Sequence, residues 1–505
     1  MQNDDVSCIV SLLDCCLQLL HTTLMATRLR MIAKDVVRMN YHAYFDASHR
    51  PIETCILGTG GFGRSFLAQG LRVPLMRARV AVDICAKVAA NAIIETGVAA
   101  DSVSVCDTIE AARLAWDAGK YIAVDDFALV ADLPFDVVVE ATGHPEAGAR
   151  HARLAIEAGH HVALVSKEVD SVIGPGLAAM AREKGLIVTP VDGDQPSLLI
   201  GLITWAQLLG FEIIAAGKSS EYDFVFDAET GKLTSNGVTV DAPDFGEFSQ
   251  FSGRNIGNVV AGRASAASDL PQRAVPDLCE LSVVANALGL SVDAPALHAP
   301  IARIGEVPSV LCSQADGGIL EKTGTLDVFH CLRNPGEVSF AGGVFVVIRC
   351  DDLATWKLLE EKGHVVSRDL KCAMVYIPRH LLGLEAATSV LEAGMKGLSS
   401  GAITPAHHVD LVAIADIDLE AGHVLEMGGH HHSVTGVSSA ILPASALVGE
   451  ALAPFYLAAN KTLKRSVKAG HAITIADLEI PETSALWQLR LWQDAFFFGA
   501  DKPRT

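Results

Sequence analysis

The order of apolar and polar positions predicts alternating strands and helices in the first half of the chain. From residue 52 onward, short apolar or β-branched runs alternate with stretches of helical character. Continuous apolar strands between amphipathic helices are typical of a parallel sheet covered on both faces. We therefore expect a doubly wound α/β domain. Its predicted strands are 53–60, 78–84, 135–143, 160–168 and 186–194, and its predicted helices include 63–71, 151–159 and 174–185.

The pattern changes after Gly210. Residues 211–235 predict strands and hairpins, 340–350 predict a strong strand, and 386–397 predict a late helix. We expect an α+β substrate domain with a mixed or antiparallel sheet. The last hundred residues repeat the triplet Ala-Gly-His at 421–423 and 469–471, which predicts glycine turns between short β segments. The predicted domains are 39–210, 211–400 and 401–505.

Residues 1–38 form an N-terminal extension with two open interpretations. It is either an amphipathic helix or loose tail, or the product of a start assigned too early, with the working protein beginning near Met39. Asp14 and His21 interrupt its apolar run, so we do not expect a membrane span.

The net charge and the cysteines of the chain limit the partners and the kinds of site that we expect. A formal net charge of −20 over 505 residues argues against nucleic acid or an anionic membrane as a partner, although a local basic cluster could still bind an anionic substrate. The eleven cysteines are scattered without a CxxC pair, which argues against a disulfide framework or a zinc site. We expect a cytoplasmic protein.

The motif Gly58-x-Gly60-x-x-Gly63, with Gly61 and Phe62 inside it, follows a predicted strand and opens a predicted helix. This setting is typical of a Rossmann turn that binds a dinucleotide. Asp83 follows twenty residues after Gly63, where a carboxylate can bind the adenosine ribose. Asp83 favours NAD over NADP, but Arg79 and Lys87 lie nearby and leave the choice open.

Polar residues follow the later strands at the same predicted edge of the sheet. Thr142 and Gly143 should lie along the cofactor, and Lys167, with Glu168 and Asp170, should come near the nicotinamide. Asp192 and Asp194 could orient a substrate or bind a divalent metal; alternatively, Asp194 caps the helix that starts near Pro196.

Three further clusters carry open alternatives. In 217–223, Lys218 and Ser219 could hold a phosphate and Glu221 could bind metal or move protons, unless the segment is a hydrated hairpin. Lys322 and Arg333 could clamp a phosphate or be solvated loop charges. Residues 430–432 are three adjacent histidines, which alternate in direction along an extended chain, so a surface turn is expected.

The stretches "CILGTGGFGRSF", "VVVEATGHPEAGARHARLAIEAGHHVALVSKEVD" and "VTPVDGDQPSLLIGLI" resemble the homoserine-dehydrogenase-like oxidoreductases. Over about residues 40–480, the chain resembles the 1-deoxy-D-xylulose 5-phosphate reductoisomerase-like enzymes of isoprenoid biosynthesis, with a β-rich SAF-type C-terminal domain. The resemblance implies NADPH, with NADH possible, a Mg or Mn ion, a sugar phosphate substrate, a homodimer and sensitivity to fosmidomycin.

The implied reaction assigns roles to the residues named above. Lys167 and Lys218 would stabilise or protonate the reacting carbonyl, with Glu221 and Asp194 as further catalytic candidates. Asp194, Glu221 and Asp170 would bind the metal, whereas Ser219, Lys322 and Arg333 would bind the phosphate. Two alternatives stay open: a related dehydrogenase that acts on homoserine or another small substrate, and a non-catalytic binding protein built around the SAF-type domain.

Overall fold

The computed structural model of the protein describes Tyr41, Tyr44, Phe45 and residues 49–251, 254–349, 352–428 and 432–499. The extension predicted for residues 1–38 lies outside these ranges. From Ile52 onward the chain belongs to one compact unit, and residues 1–51 belong to another. Within the described residues, no helix has both the length and the apolar character needed to cross a bilayer.

A seven-stranded, entirely parallel sheet forms the first half of this unit, in the order β3-β4-β2-β1-β5-β6-β7. This order confirms the predicted doubly wound Rossmann fold. The strands are β1 Ile52–Leu57, β2 Met76–Val82, β3 Val103–Val105, β4 Tyr121–Val124, β5 Val137–Glu140, β6 His161–Leu164 and β7 Val188–Pro190.

Helices connect these strands, and their ends follow local sequence signals. Helix α4 begins after His144, whose side chain accepts a hydrogen bond from Ala147 N, and it ends at Gly159 in the left-handed region. The six helices are α1 Gly61–Gly70, α2 Ala86–Glu95, α3 Ile109–Asp117, α4 Pro145–Ala158, α5 Lys167–Glu183 and α6 Gln195–Leu208.

The structure differs from the predicted elements in two places. Strands β3 and β4 were not predicted, because they are only three and four residues long and β3 has no buried residue. The strand predicted over 160–168 ends at Leu164, and the helix predicted from residue 174 begins at Lys167 and continues through Pro175. Lys167 therefore begins a helix instead of ending a strand.

A nine-stranded mixed sheet occupies residues 212–377 and confirms the predicted α+β character. Its main path is β11-β10-β9-β14-β8-β15-β16, in which β14 runs parallel to β8 and β15 antiparallel to it. The strands are β8 Glu212–Ser219, β9 Phe224–Asp227, β10 Lys232–Ser235, β11 Val238–Asp241, β12 Ser291–Val292, β13 Ile301–Ala302, β14 Thr325–Arg333, β15 Val344–Arg349 and β16 Cys372–Ile377.

Helix α8 lies at the junction of the three parts of the unit. It packs against α5 and α6 of the Rossmann half and against β17 of the C-terminal part, and all its residues from Pro276 to Asn286 are buried. The helices of this region are α7 Ile256–Ala266, α8 Val275–Leu288, α9 Val307–Val310, α10 Leu353–Glu361 and α11 Ala387–Leu391, and the last lies within the predicted late helix.

The C-terminal part is β-rich. Gly422 and Gly470, the glycines of the repeated triplet, both have left-handed φ angles of 84° and 80°, which confirms the predicted turns. Leu419 and Val467 exchange two backbone hydrogen bonds, so the two repeat segments pair with each other. The elements are β17 Val409–Ala415, β18 Met427–Gly428, β19 Ser433–Val434, β20 Val437–Pro443, α12 Phe455–Ala458, β21 Thr462–Leu463, β22 Leu478–Glu479 and α13 Ala485–Phe498.

Helix α13 anchors the C-terminal part to the Rossmann half. The fully buried Arg490 donates two hydrogen bonds to Asp410, of 2.7 and 2.9 Å, and one of 2.8 Å to Asp494. Gln493 donates to Val172 O at 3.0 Å and accepts from Gly176 N at 2.7 Å. A buried charge network thus holds α13 to β17, and an amide holds it to α5.

We predict that Arg490→Ala lowers the free energy of unfolding by about 3–5 kcal/mol, because it leaves Asp410 and Asp494 buried without their cation. Urea unfolding followed by circular dichroism measures this loss. The control is Lys468→Ala, which removes the exposed ion pair with Asp418 and should cost less than about 1 kcal/mol. Equal losses in the two variants would contradict the prediction.

Candidate active site

The glycine turn lies at the centre of the parallel sheet, between the carboxyl end of β1 and the start of α1. Gly58 has φ +90°, and a Cβ there would lie 2.6 Å from Ala141 O. A Cβ on Gly63 would lie 2.0 Å from Gly58 O, whereas no atom of the described residues lies within 4 Å of one built on Gly60 or Gly61. The first and third glycines of the motif are therefore required by the fold, and Gly60 faces open space.

This open space has the features of a dinucleotide site. β1 lies between β2 and β5, where the strand order reverses, and ligands of such sheets bind outside the carboxyl ends of the strands at that point. No side chain caps the first turn of α1, so its backbone N–H groups are available to phosphate. The residues fit a nicotinamide dinucleotide, which would supply hydride chemistry when bound.

Asp83 follows β2, as predicted, but its carboxylate holds the glycine turn. Its Oδ2 accepts hydrogen bonds from Thr59 N at 2.8 Å and from Thr59 Oγ1 at 2.5 Å, while Oδ1 accepts from Ile84 N. The predicted hydrogen bond from the adenosine ribose would go to a carboxylate that already accepts hydrogen bonds from Thr59 and Ile84. Asp83 is therefore a weaker indicator of NAD over NADP than its sequence position suggested.

The loop after β5 forms the next part of the cleft. Thr142 donates from both its backbone N and its hydroxyl to Glu140, the buried last residue of β5. Gly143 N donates to Ser166 Oγ at 2.8 Å, which ties this loop to the start of α5. Thr142 and Gly143 therefore lie at the edge where we predicted the cofactor.

The centre of the candidate site is a buried glutamate bound by two lysines. Lys167, from the first turn of α5, and Lys218, near the carboxyl end of β8, each donate to a different oxygen of Glu280 on α8. Lys218 Nζ also lies 3.0 Å from Asp277 Oδ1 and 3.6 Å from Glu221 Oε1. The structure thus brings together Lys167 and Lys218, the two lysines that the sequence analysis assigned to the reacting carbonyl of the substrate.

The carboxylates keep both lysines charged. Burial opposes their protonation, but the surrounding acids outweigh it, so the pKa of each lysine lies above its ordinary value. Burial would likewise raise the pKa of Glu280, but Lys167 and Lys218 lower it. At neutral pH the lysines are therefore cations, suited to stabilise negative charge on a substrate oxygen, whereas the raised pKa makes each lysine a weaker proton donor.

Sequence reasoning did not identify Asp277 and Glu280. They stand three residues apart in "VPDLCELSV", and both lie within the buried stretch of α8. The sequence did contain a signal for this pair, since two acids three residues apart lie on one face of a helix that is otherwise apolar. Buried acids of this kind require a cation or a ligand. Ser220 completes the cluster by donating to Asp277 Oδ2 at 2.6 Å.

Of the three predicted metal ligands, Asp170 and Asp194 line one small cavity together with Lys167, whereas Glu221 lies beside Lys218. Asp194 caps α6 by accepting from Gln195 N at 2.9 Å, and it lies 3.9 Å from Lys167 Nζ. Among the described residues, no three His, Cys, Asp or Glu side chains are grouped so that they could hold a metal ion. The residues as placed do not form a metal site, and the metal stays a prediction.

The predicted phosphate ligands are also dispersed. Ser219 Oγ is buried near the end of β8 and has no hydrogen-bond partner among the described residues. Arg333 ends the neighbouring strand β14 and donates to Asp223 at 2.6 Å. Lys322 is exposed and precedes the start of β14, so it lies toward the opposite end of the sheet from Lys218.

Comparison with known proteins supports an oxidoreductase. A family model described as the catalytic domain of oxidoreductase DRL matches residues 276–386, a stretch that contains Asp277 and Glu280. No curated protein gives a significant match.

Solved structures match the chain at low similarity. A DOX-P reductoisomerase with fosmidomycin and magnesium is 17% identical over 48% of this chain and 58% of its own, with a TM-score of 0.29. The UDP-N-acetylglucosamine 3-dehydrogenase GnnA from Acidithiobacillus ferrooxidans is 13% identical over 70% and 93%, with a TM-score of 0.35. A hyperthermophilic archaeal homoserine dehydrogenase is 13% identical over 68% and 98%, with a TM-score of 0.31. These values are too low to indicate a substrate.

The family match, the glycine turn at the reversal of the strand order and the lysine–glutamate cluster identify the chain as an NAD(P)H-dependent oxidoreductase.

We predict that Gly60→Val abolishes dinucleotide binding and leaves the fold intact, because the new side chain enters the open space in front of α1. NADPH fluorescence titration should show at least about a thirty-fold weaker Kd with an unchanged Tm, since the valine takes the place of the pyrophosphate. Gly63→Ala, by contrast, should lower Tm, because its Cβ would collide with Gly58 O. Unchanged NADPH affinity in Gly60→Val would show that this turn is not the cofactor site.

Asp170 provides a pH-dependence prediction. Burial, and then the nearby Asp194, raise the pKa of Asp170 to about 7. The folded protein binds the proton of Asp170 more tightly than the unfolded chain does. The stability that the protonated carboxyl contributes is therefore fully present below about pH 4, and it is lost as the pH rises to about 7. The Tm of Asp170→Asn relative to wild type should therefore rise between pH 5 and pH 8.

The control for this measurement is Asp244→Asn, at an exposed carboxylate. Its Tm should follow that of the wild type at every pH. If Asp170→Asn also follows the wild type, the carboxyl of Asp170 does not have a raised pKa.

Proposed function

We propose that the protein is an NADPH-dependent reductoisomerase that converts 1-deoxy-D-xylulose 5-phosphate to 2-C-methyl-D-erythritol 4-phosphate in isoprenoid biosynthesis. The observation that carries this proposal is the match of the DRL catalytic-domain model to residues 276–386, which hold the acids of the buried cluster. The sequence resemblance of residues 40–480 supports the same reaction. The homodimer and the SAF-type assignment of residues 401–505 belong to this proposal.

The proposed reaction has two stages with different demands on the protein. The carbon skeleton of the ketose rearranges to a branched aldehyde phosphate, and hydride and a proton then convert the aldehyde to an alcohol. Negative charge develops on a carbonyl oxygen in both stages. Fixed cations in a site of low dielectric are the groups that stabilise such charge most effectively.

Lys167 and Lys218 meet this demand. They come from the Rossmann half and from the mixed sheet, and Glu280 holds their Nζ atoms on the two oxygens of one carboxylate. Lys167, whose side chain is 20% exposed, has further N–H groups with which it can bind a substrate oxygen. Lys218 is fully buried among Glu280, Asp277 and Glu221, so it acts on the carbonyl oxygen through its charge. We assign Lys167 and Lys218 to stabilising the carbonyl oxygen, Glu280 to keeping both lysines protonated and in place, and Asp277 to the same role for Lys218.

The environment of Asp83 supports NADPH as the reductant. Its carboxylate accepts hydrogen bonds from Thr59 and from Ile84 N. These donors offset part of its negative charge, so it repels a 2′-phosphate less strongly. Lys87 is exposed in the first turn of α2, close to Asp83 in the chain. Ser219 is the substrate-phosphate ligand we favour, because its buried hydroxyl has no hydrogen-bond partner among the described residues. Arg333 lies four residues beyond Phe329, the register partner of Ser219, and it is bonded to Asp223.

The direct test is an assay of the purified protein with 1-deoxy-D-xylulose 5-phosphate and NADPH, with and without Mg or Mn. Loss of absorbance at 340 nm, together with isolation of 2-C-methyl-D-erythritol 4-phosphate, would support the proposal. Folded protein that shows no turnover with this substrate but oxidises homoserine would overturn it.

We predict that Lys218→Met lowers kcat by about 10²–10⁴-fold, the usual effect of losing a group that stabilises or protonates the reacting atom. Its Kd for NADPH should change by less than about three-fold, since Lys218 is held by α8 and not by the glycine turn. Lys357→Met, an exposed substitution on α10, is the matched control and should keep wild-type kcat. A Lys218→Met enzyme that is folded by circular dichroism and fully active would contradict the assignment.

A further inference from the structure

A histidine of the C-terminal part reaches the edge of the Rossmann sheet. His432 Nδ1 donates to Glu168 Oε1 at 2.7 Å, across 264 residues of sequence. A Cβ built on Gly143 would lie 2.3 Å from His432 Cε1, so the imidazole rests directly on the loop after β5. The side chain of His432 is 34% exposed. His432 lies in a turn, as expected, but its partly exposed side chain packs on the Rossmann half, whereas His430 and His431 lie outside the described residues.

The place that His432 occupies is defined by the sheet. Gly143 belongs to the loop after β5, and β5 lies directly beside β1, whose carboxyl end carries the glycine turn. A dinucleotide that sets its pyrophosphate at this turn extends along the neighbouring strand ends. Asp83 marks the adenosine side, so the β5 side, with Gly143, takes the nicotinamide half.

We propose that His432 forms one wall of the cofactor cleft, where its imidazole contacts the nicotinamide half of the bound dinucleotide and positions it toward Lys167. Glu168 fixes the ring, and Gly143, which has no side chain, makes room for it. His432 is thus a positioning residue supplied by the C-terminal part. This inference deepens the proposed function and rests on the same cofactor site.

The charge on His432 suits an anionic ligand. Its hydrogen bond to Glu168 raises the pKa of His432, while burial and Lys167 act in the opposite direction. Glu168 and Lys167 are the charged groups acting on it within the described part of the chain. A protonated imidazole at this edge would attract the dinucleotide, and that attraction would weaken as the pH rises and His432 loses its proton.

The test is direct titration of full-length protein with NADPH and with NADH, followed by fluorescence, without any carbonyl substrate. His432→Ala should weaken the Kd by about ten-fold, a loss of about 1.4 kcal/mol. His432→Gln can still donate to Glu168 and should recover part of the affinity. The control is His423→Ala, an exposed histidine in the same C-terminal part, which should bind like the wild type.

Two further readouts separate positioning from a merely structural role. Tm should be nearly equal in the wild type and His432→Gln, which keeps a donor for the buried Glu168 carboxylate. The Kd of the wild type should rise between pH 6 and pH 8, whereas that of His432→Gln should stay flat. Wild-type affinity in His432→Ala would overturn the proposal. Tighter binding would also overturn it, because the imidazole would then occupy cofactor space. Since no carbonyl substrate is present, a failed reductoisomerase assay would leave this result unaffected.

Discussion

The structure depends on one buried interaction, in which Glu280 is held between Lys167 and Lys218. Burying an unpaired carboxylate or ammonium costs several kcal/mol, so none of these charges can remain in the interior without the others. The three residues come from α8, α5 and β8, which belong to different layers of the protein. Their charges therefore hold the Rossmann half, the mixed sheet and α8 in a fixed arrangement, and the same arrangement places two ammonium groups on the two oxygens of one buried carboxylate.

Helix α8 shows how the sequence accommodates this requirement. Its buried positions are mostly apolar and pack against the helices of both layers, while Asp277 and Glu280 are the acids that meet the lysines. Further along the same helix, Asn286 accepts hydrogen bonds from His408 N and Val409 N, where the C-terminal part begins its first strand. One helix thus supplies the acids of the candidate site at its start and the attachment of the C-terminal part at its end.

Local pattern was sufficient for much of the fold and for part of the site. The apolar runs at β1, β2 and β5–β7 and the glycine turn after β1 carry their own signals, because period and turn chemistry act over a few residues. Lys167 and Lys218, which the sequence analysis paired, do meet on one carboxylate, and their role at a reacting centre stays a prediction. The glutamate between them could not be found this way, because it is brought there by a contact over 113 residues. The opposite placement of Lys322 and Lys218 likewise depends on strand register between β14 and β8, which no local pattern encodes.

Three consecutive residues, 166–168, connect the loop after β5, α8 and the C-terminal part. Ser166 accepts from Gly143 N in the loop after β5, Lys167 donates to Glu280 on α8, and Glu168 accepts from His432 of the C-terminal part. Because they occupy the start of a single helix, α5, none of the three contacts can shift without moving the other two. The loop after β5, the buried acids of α8 and the C-terminal part are therefore coupled at the start of α5. A change in any one of these contacts would be transmitted to the other two.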